Sequence, residues 1–229
     1  MKIKKICYFI CFICSICKVN AQIIIGADAG VSYNKLDYKM NNGKLKLENN
    51  QGYMASINVD YGLNKQFSLE SSPGIIQKNY LIKNQNGIYQ QNNNTYLQLP
   101  FNIKYHVKIV KRLYTSASLG AYYAYWLSST LKGIIPNVFE LSNDAEGNEV
   151  FKLQSFKYVY QFDPSKDNRS EFGWTGKIEL NYEILKKLSG SIKARYYQSI
   201  TDQQKKIVEG QVARYNQTFG ITMGVGYHI

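Results

Sequence analysis

The sequence predicts an all-β protein, an eight-stranded antiparallel up-and-down transmembrane β-barrel that follows a cleaved signal peptide. Three observations lead to this prediction: a basic and then apolar N-terminus, strict alternation of apolar and polar residues, and a regular order of short and long connections. Alternation with a period of two is the pattern of a strand whose two faces differ. The predicted organisation is a signal peptide at 1–21 and an outer-membrane β-barrel domain at 22–229.

The N-terminal segment has the three parts of a secretory signal. Lys2, Lys4 and Lys5 precede an apolar run from 6 to 16, and residues 19–21 (Val-Asn-Ala) supply small side chains at the expected cleavage position. The apolar run is shorter than the ~20 residues that a transmembrane helix needs. All four cysteines lie in this segment, so a mature chain beginning at Gln22 has no disulfide framework.

The alternation is clearest at the C-terminus of the chain. Every second residue from Phe219 to Ile229 is apolar, and the residues between them are small or polar. The same period recurs near 53–61, 97–107, 113–123, 174–184 and 188–196. Two further strands, near 23–35 and 66–78, are less regular, and we expect bulges at Gly30 and at residues 72–74 (Ser-Pro-Gly).

The connections between these eight strands alternate in length. Short ones are predicted near 62–66, 108–112 and 185–187, and long polar ones near 37–51, 79–94, 127–171 and 201–213. An up-and-down barrel with tight periplasmic turns and long external loops requires this order. Residues 150–162 alternate loosely, so we expect the third long connection to form a hairpin above the membrane or a mobile flap.

The polar faces of the strands carry charges of both signs, which predicts a lumen charge network. Its members are Asp28, Asp60, Glu70, Lys104, Lys177, Glu179, Glu183, Lys193 and Arg195. Within a narrow lumen these groups would pair, because an unpaired buried charge is costly. The alternative is a soluble barrel, which would instead turn its apolar face inward.

The apolar faces carry aromatic residues near the strand ends, which predicts two membrane-interface belts. The belt near the short turns comprises Tyr61, Phe67, Tyr105, Tyr182 and Tyr227. The belt near the long loops comprises Tyr33, Tyr53, Tyr123, Trp174 and Tyr196. Together with the signal peptide, these belts predict a location in the outer membrane.

Catalytic chemistry has little support in the sequence. His106 and His228 are predicted on lumen faces near the periplasmic rim, and Ser189 and Ser191 share that rim. A serine hydrolase would need one of these histidines as its base, but the chain has no Gly-x-Ser-x-Gly motif. We therefore predict a non-enzymatic protein with no catalytic, cofactor-binding or metal-binding residues, and with no cofactor.

Three segments resemble the PorT-like outer-membrane β-barrel family of Bacteroidetes. They are residues 96–105 (YLQLPFNIKY), the opening residues 23–33 and the glycine-rich ending at 220–229. The resemblance implies an eight-stranded barrel and, for the founding member of the family, a part in gliding or type IX secretion. Gln98, where the family often has an acid, and the terminal Ile229, where it usually has an aromatic residue, depart from the pattern.

The favoured hypothesis is a structural, accessory or interaction protein that acts through its extracellular loops. A narrow porin or uptake channel and a membrane-embedded hydrolase are the alternatives. Removal of four basic residues with the signal leaves 24 basic and 16 acidic residues, a net charge of +8. In an exported protein this surplus favours membrane lipids, lipopolysaccharide and other outer-membrane or secretion components as partners, and not nucleic acid.

Overall fold

The computed structural model describes residues 22–38, 45–84, 87–143 and 147–229, so the predicted signal peptide lies outside the described residues. The described chain forms eleven strands and no helix. They are β1 (Ile23–Asp37), β2 (Leu45–Gly62), β3 (Phe67–Ser71), β4 (Gly74–Gln77), β5 (Tyr80–Asn84), β6 (Tyr89–Val110), β7 (Leu113–Asn143), β8 (Glu149–Val159), β9 (Ser170–Leu185), β10 (Leu188–Ser199) and β11 (Tyr215–His228). None of the described segments is a helix long and apolar enough to cross a lipid bilayer.

Antiparallel pairing closes these strands into a ring. β1 pairs with both β2 and β11, and β11 continues through β10, β9 and β7 to β6. Between β2 and β6, the short strands β3, β4 and β5 together occupy one position and pair with both neighbours. The ring therefore has eight members, as predicted, and β8 stands outside it as a partner of the distal part of β7.

The first barrel strand has no bulge at Gly30, which corrects the sequence prediction. The pairing of β1 with β2 and with β11 runs through Gly30 without a register shift. The glycine is needed for a close approach between strands, because a Cβ there would lie 2.0 Å from the carbonyl oxygen of Ile221. Close approach and a bulge both call for glycine, so the sequence alone did not separate them.

The third barrel strand is interrupted at Ser72 and Pro73 but keeps its register on both sides of the break, so the bulge predicted at residues 72–74 is wrong. The ladder to β6 ends at the pair Ser71–Phe101 and resumes at Gly74–Gln98, so Pro100 lies opposite the gap. Proline has no N–H and cannot complete a strand ladder. Its position opposite the gap explains how a proline fits the middle of a long barrel strand.

Three of the four predicted long connections are largely strand in their described residues, which corrects their predicted extent, whereas 201–213 contains none of the eleven strands. β2 begins at Leu45, and β5 and β6 form a hairpin that extends to Asn84 and Tyr89, so residues 37–51 and 79–94 largely continue the sheet. Interstrand backbone bonds can continue above the membrane, because polar Asn and Gln side chains are compatible with strands in water. The predicted hairpin in the third connection is confirmed as the β7–β8 pair.

Candidate functional site: the barrel lumen

The structure brings eight of the nine predicted charged residues together inside the barrel. Asp28 comes from β1, Asp60 from β2, Glu70 from β3, Lys104 from β6, Lys177 and Glu179 from β9, and Lys193 and Arg195 from β10. All eight are buried. They form what we call the charge layer, and they converge because inward-facing positions on neighbouring strands lie at a similar height.

Lys104 is the most highly connected cation of the charge layer. Its ammonium lies 2.8 Å from Asp60, 2.9 Å from Glu179 and 3.3 Å from Glu70. Lys177 also contacts Glu70 and lies 3.0 Å from Glu179. Each of these two lysines therefore has at least two carboxylate partners.

Asp28 forms the second centre of the charge layer. Its carboxylate accepts bonds from Lys193 at 2.8 Å and from the Arg195 guanidinium. Ser56 and Asn58 donate to it at 2.8 and 2.7 Å. Lys193 also lies 3.9 Å from Glu179, which links this centre to Lys104. The whole layer has four carboxylates and four cations, so it is formally neutral.

Glu183 does not join the charge layer, which corrects its predicted place. It is half-buried, nearer the periplasmic end of β9, and forms no ion pair with any described residue. It interacts instead with the hydroxyl of Tyr114. Four strand positions separate it from Glu179, about 13 Å along an extended strand, which is too far for it to share the same cations.

Below the charge layer, a cavity of about 510 Å³ opens toward the periplasmic end of the barrel. Both histidines line it, each beside a serine: His106 Nε2 lies 2.8 Å from Ser68 Oγ, and His228 Nε2 lies 3.2 Å from Ser189 Oγ. Ser189 was predicted at the same rim as the histidines, whereas Ser68, the partner of His106, was not foreseen. Within the described ranges, no three His, Cys, Asp or Glu side chains are placed to hold a metal ion.

Above the charge layer lies an aromatic layer that sequence reasoning missed. Its apolar members are Met54, Ile76, Tyr96, Tyr122, Ala124, Trp126 and Tyr197. Lys78 and Glu171 form a buried ion pair within it. The Lys78 ammonium lies 5.0 and 4.8 Å from the ring centroids of Tyr96 and Tyr122, a distance suited to cation–π attraction.

Glu171 is fully satisfied in this layer. In addition to Lys78, it accepts hydrogen bonds of 2.7 Å from the Tyr122 hydroxyl and of 2.7 Å from the Asn216 amide. The sequence could have placed Glu171 in the lumen, because it precedes the inward-facing Lys177 on β9 by six residues and an even separation puts both side chains on the same face. Lys78 could have been found in the same way, because the pairing with β6 keeps one register across the break and Lys78 therefore faces inward like Glu70. The apolar Ile76, which also faces inward, makes the alternation of this strand hard to recognise in the sequence.

Two connecting segments, 160–169 and 200–214, cover the extracellular end of the lumen and form what we call the cap. Asn168 N donates to Gln203 O at 3.1 Å, and Lys205 N donates to Lys166 O at 2.8 Å, which joins the two segments. Burial, together with a 3.0 Å hydrogen bond to Asp167, raises the pKa of Tyr160 to about 12. The Tyr160 phenol therefore stays neutral and continues to donate across the physiological pH range.

The ten aromatic residues predicted for the membrane interface all lie on the outer face, where each is exposed or half-buried. Aromatic pairs on adjacent strands lie at two heights. Near the short turns, Phe67 packs on Tyr105 with ring centroids 5.1 Å apart. Near the long connections, Trp174 packs on Tyr196 with ring centroids 5.3 Å apart. Between them the outer face is aliphatic and exposed, with Ile103 as an example. Such an apolar exterior around a charged interior is stable only in lipid.

Comparison with solved structures finds structural similarity at low sequence identity. The outer membrane protease OmpT from Escherichia coli is 11% identical, with a TM-score of 0.53, and the match covers 93% of this chain and 100% of that one. OprG from Pseudomonas aeruginosa is 10% identical, with a TM-score of 0.48 and coverage of 91% and 95%. Ail from Yersinia pestis, solved with the heparin analogue sucrose octasulfate, is 12% identical, with a TM-score of 0.42 and coverage of 92% and 100%.

At these identities the similarity to OmpT establishes the fold and nothing further. No curated protein sequence is significantly similar to the chain. A family profile described as the outer membrane protein beta-barrel domain matches residues 20–204, which is most of the sequence. With its closed ring of eight strands and lipid-compatible exterior, the chain belongs to the outer membrane protein beta-barrel domain family and is a protein of the outer membrane.

Proposed function

We propose that this protein is a non-enzymatic outer-membrane barrel that acts by contact with other outer-membrane or secretion components through its extracellular segments. One observation carries the proposal: side chains fill the lumen in two successive layers. Eight strands leave an interior just wide enough for side chains. To cross the lumen, an ion would have to separate the ion pairs that Lys104 forms and those that Asp28 forms, and then pass the rings of Tyr96 and Tyr122. This argues against an open channel.

The extracellular β7–β8 hairpin supports the contact role. Its distal part exposes apolar side chains, among them Phe139 at 93% and Val138 at 62% of their possible surface. Among the described residues, the only strand paired with β8 is β7, so the outer edge of β8 is open. Open edges and exposed apolar side chains are features of strand addition by a partner. The PorT-like resemblance of residues 96–105 agrees with an accessory role.

A membrane hydrolase is the second candidate, favoured by the Ser68–His106 contact of 2.8 Å. Two features weigh against it. The described residues provide no carboxylate hydrogen-bonded to His106, so no third group orients the ring as in a catalytic triad. At the other pair, the Gln22 amide nitrogen lies 3.0 Å from His228 Nδ1, which makes Nε2 the protonated nitrogen and a donor to Ser189, the reverse of a general base.

Planar-bilayer conductance tests the filled lumen. The wild-type protein is expected to give no stable single-channel steps. A variant that combines Tyr96→Ala, Tyr122→Ala and Arg195→Ala removes bulk from both layers and is expected to conduct, which shows that the assay detects an open lumen. Heat-modifiable gel migration would check that each protein is folded. Regular steps from wild-type protein would contradict the proposal and favour the porin alternative.

Crosslinking in native outer membranes tests the contact role. Replacement of residues 136–153 by Asn-Gly would shorten the hairpin while its barrel-proximal pairs, such as Ile135–Gln154, remain. This variant should lose crosslinked partners that wild-type protein retains. A matched control, His106→Ala with His228→Ala, leaves the hairpin intact and should keep both the partners and the phenotype. Loss of the phenotype in this control alone would favour the hydrolase.

A further inference from the structure

The three periplasmic turns are rich in basic residues. The basic residues in or beside these turns are Lys65, Lys108, Lys111, Arg112, Lys186 and Lys187. All six are exposed, and residues 62–66, 108–112 and 185–187 contain no acid. We call this set the basic rim.

The basic rim is spread around the barrel. Its turns join β2 to β3, β6 to β7 and β9 to β10, so one turn follows every second strand of the ring. One contact also places a charge against the lipid-facing surface: the Lys187 ammonium lies 5.8 Å from the ring centroid of Tyr227, which points outward. Since these turns are short, their charges stay close to the height at which the aromatic belt meets the lipid headgroups.

Turn geometry does not account for the basic residues. Lys111 and Arg112 form a two-residue turn in which Arg112 has a φ of 70°. This conformation is unfavourable for a residue with a side chain, and glycine or asparagine is favoured there. The turn itself therefore does not require the basic pair.

We propose that the basic rim binds the anionic phospholipid headgroups of the periplasmic leaflet and thereby fixes the height of the barrel in the membrane. Cationic side chains next to a membrane are attracted to anionic headgroups, and the attraction acts only within a screening length of the surface. This inference concerns the end of the barrel opposite the extracellular contact surface, so it stands independently of the proposed function.

Thermal unfolding in vesicles of two compositions provides the test. The full-length mature protein would be folded into phosphatidylcholine vesicles and into vesicles in which part of that lipid is replaced by phosphatidylglycerol. The anionic lipid is expected to raise the unfolding temperature at low salt by roughly 5 °C or more. This shift should disappear near 1 M salt, where the screening length is only ~3 Å. A variant with all six residues changed to Gln should show no shift.

A second six-residue variant controls for net charge. It changes six exposed lysines of the extracellular half, Lys35, Lys46, Lys132, Lys152, Lys157 and Lys206, to Gln. This control should keep the lipid-dependent shift. Three variants, each neutralising a single turn, keep the test decisive if the six-residue rim variant does not fold, because each should lose part of the shift.

Four results would overturn the proposal. They are an unchanged wild-type unfolding temperature in anionic vesicles at low salt, a shift that persists in high salt, an equal loss of the shift in the extracellular control, and an undiminished shift in all three single-turn variants. Inorganic phosphate added to phosphatidylcholine vesicles forms a separate arm. If it reproduced the shift, the rim would be a general anion site and the assignment to lipid would be wrong.

Discussion

The two layers of the lumen bury charged side chains in different ways. In the charge layer, eight ionised groups share partners, and Lys104 alone contacts three carboxylates. In the aromatic layer, a single pair, Lys78 and Glu171, is enclosed by rings and amides. Burying an ion pair is favourable only when its remaining hydrogen-bonding capacity is satisfied. The two layers approach that condition with different neighbours, and in the charge layer Arg195 Nε is left without a hydrogen-bond partner among the described residues.

This difference teaches where the lumen should tolerate substitution. A charge that has several partners keeps some of them when one is removed. The Lys78 ammonium has Glu171 as its only carboxylate partner among the described residues, so the loss of Glu171 leaves a fully buried cation uncompensated. We therefore expect the aromatic layer to be the more fragile of the two.

The largest expected effect is that of Glu171→Gln, which should lower the free energy of unfolding by about 3–5 kcal/mol. Urea titration of protein folded in lipid vesicles would measure it. The double variant Lys78→Met with Glu171→Gln removes both charges and should be more stable than Glu171→Gln alone. If the double variant were no more stable, the uncompensated charge would not be the cause of the loss.

The contrast between the layers depends on which residues face inward, and adjacent substitutions on β9 test that parity. Leu180→Arg places a charge against lipid and should cost about 2–4 kcal/mol. Asn181→Arg enters the periplasmic cavity, where there is room and water, and should cost less. The same titration applies to both, and equal losses would mean that the assigned faces of β9 are wrong.

In the charge layer, Arg195→Ala should be milder than Glu171→Gln, with a loss of about 1–3 kcal/mol. Asp28 would keep Lys193 and the donors Ser56 and Asn58. The variant should unfold faster on heating, which gel migration would follow over time. A loss as large as that of Glu171→Gln would show that shared partners do not protect this layer.

The smallest effect is expected for Glu183→Gln, at about 0–1 kcal/mol. Glu183 is half-buried beside the open cavity, and it forms no ion pair with a described residue. Glu179→Gln, four positions away on the same face, is its matched comparison and should cost clearly more, since Glu179 contacts three lysines. Similar losses of unfolding free energy in the two variants would show that Glu183 takes part in the charge layer after all.

The sequence by itself determined the strand number, the inward and outward faces and all eight members of the charge layer, to which it wrongly added Glu183. The reason is that the side chains of a strand between lipid and a polar lumen alternate between the two with a period of two. A charged residue such as Lys193 therefore indicates which residues of its strand face the lumen. The same parity identified the outward aromatic residues. The signal peptide remains a prediction, because it lies outside the described residues.

Only the tertiary structure decided which charges meet, how far the strands extend and what fills the upper lumen. Parity states that Glu179 and Glu183 face the same way, but strand register and height decide that only Glu179 reaches Lys104. Parity also continues across Ser72 and Pro73 to Lys78, but only the closed ring shows that Lys78 meets Glu171 there. Contacts between residues as distant in sequence as Lys78 and Glu171 depend on the closure of the whole ring, and no local pattern of residues encodes that closure.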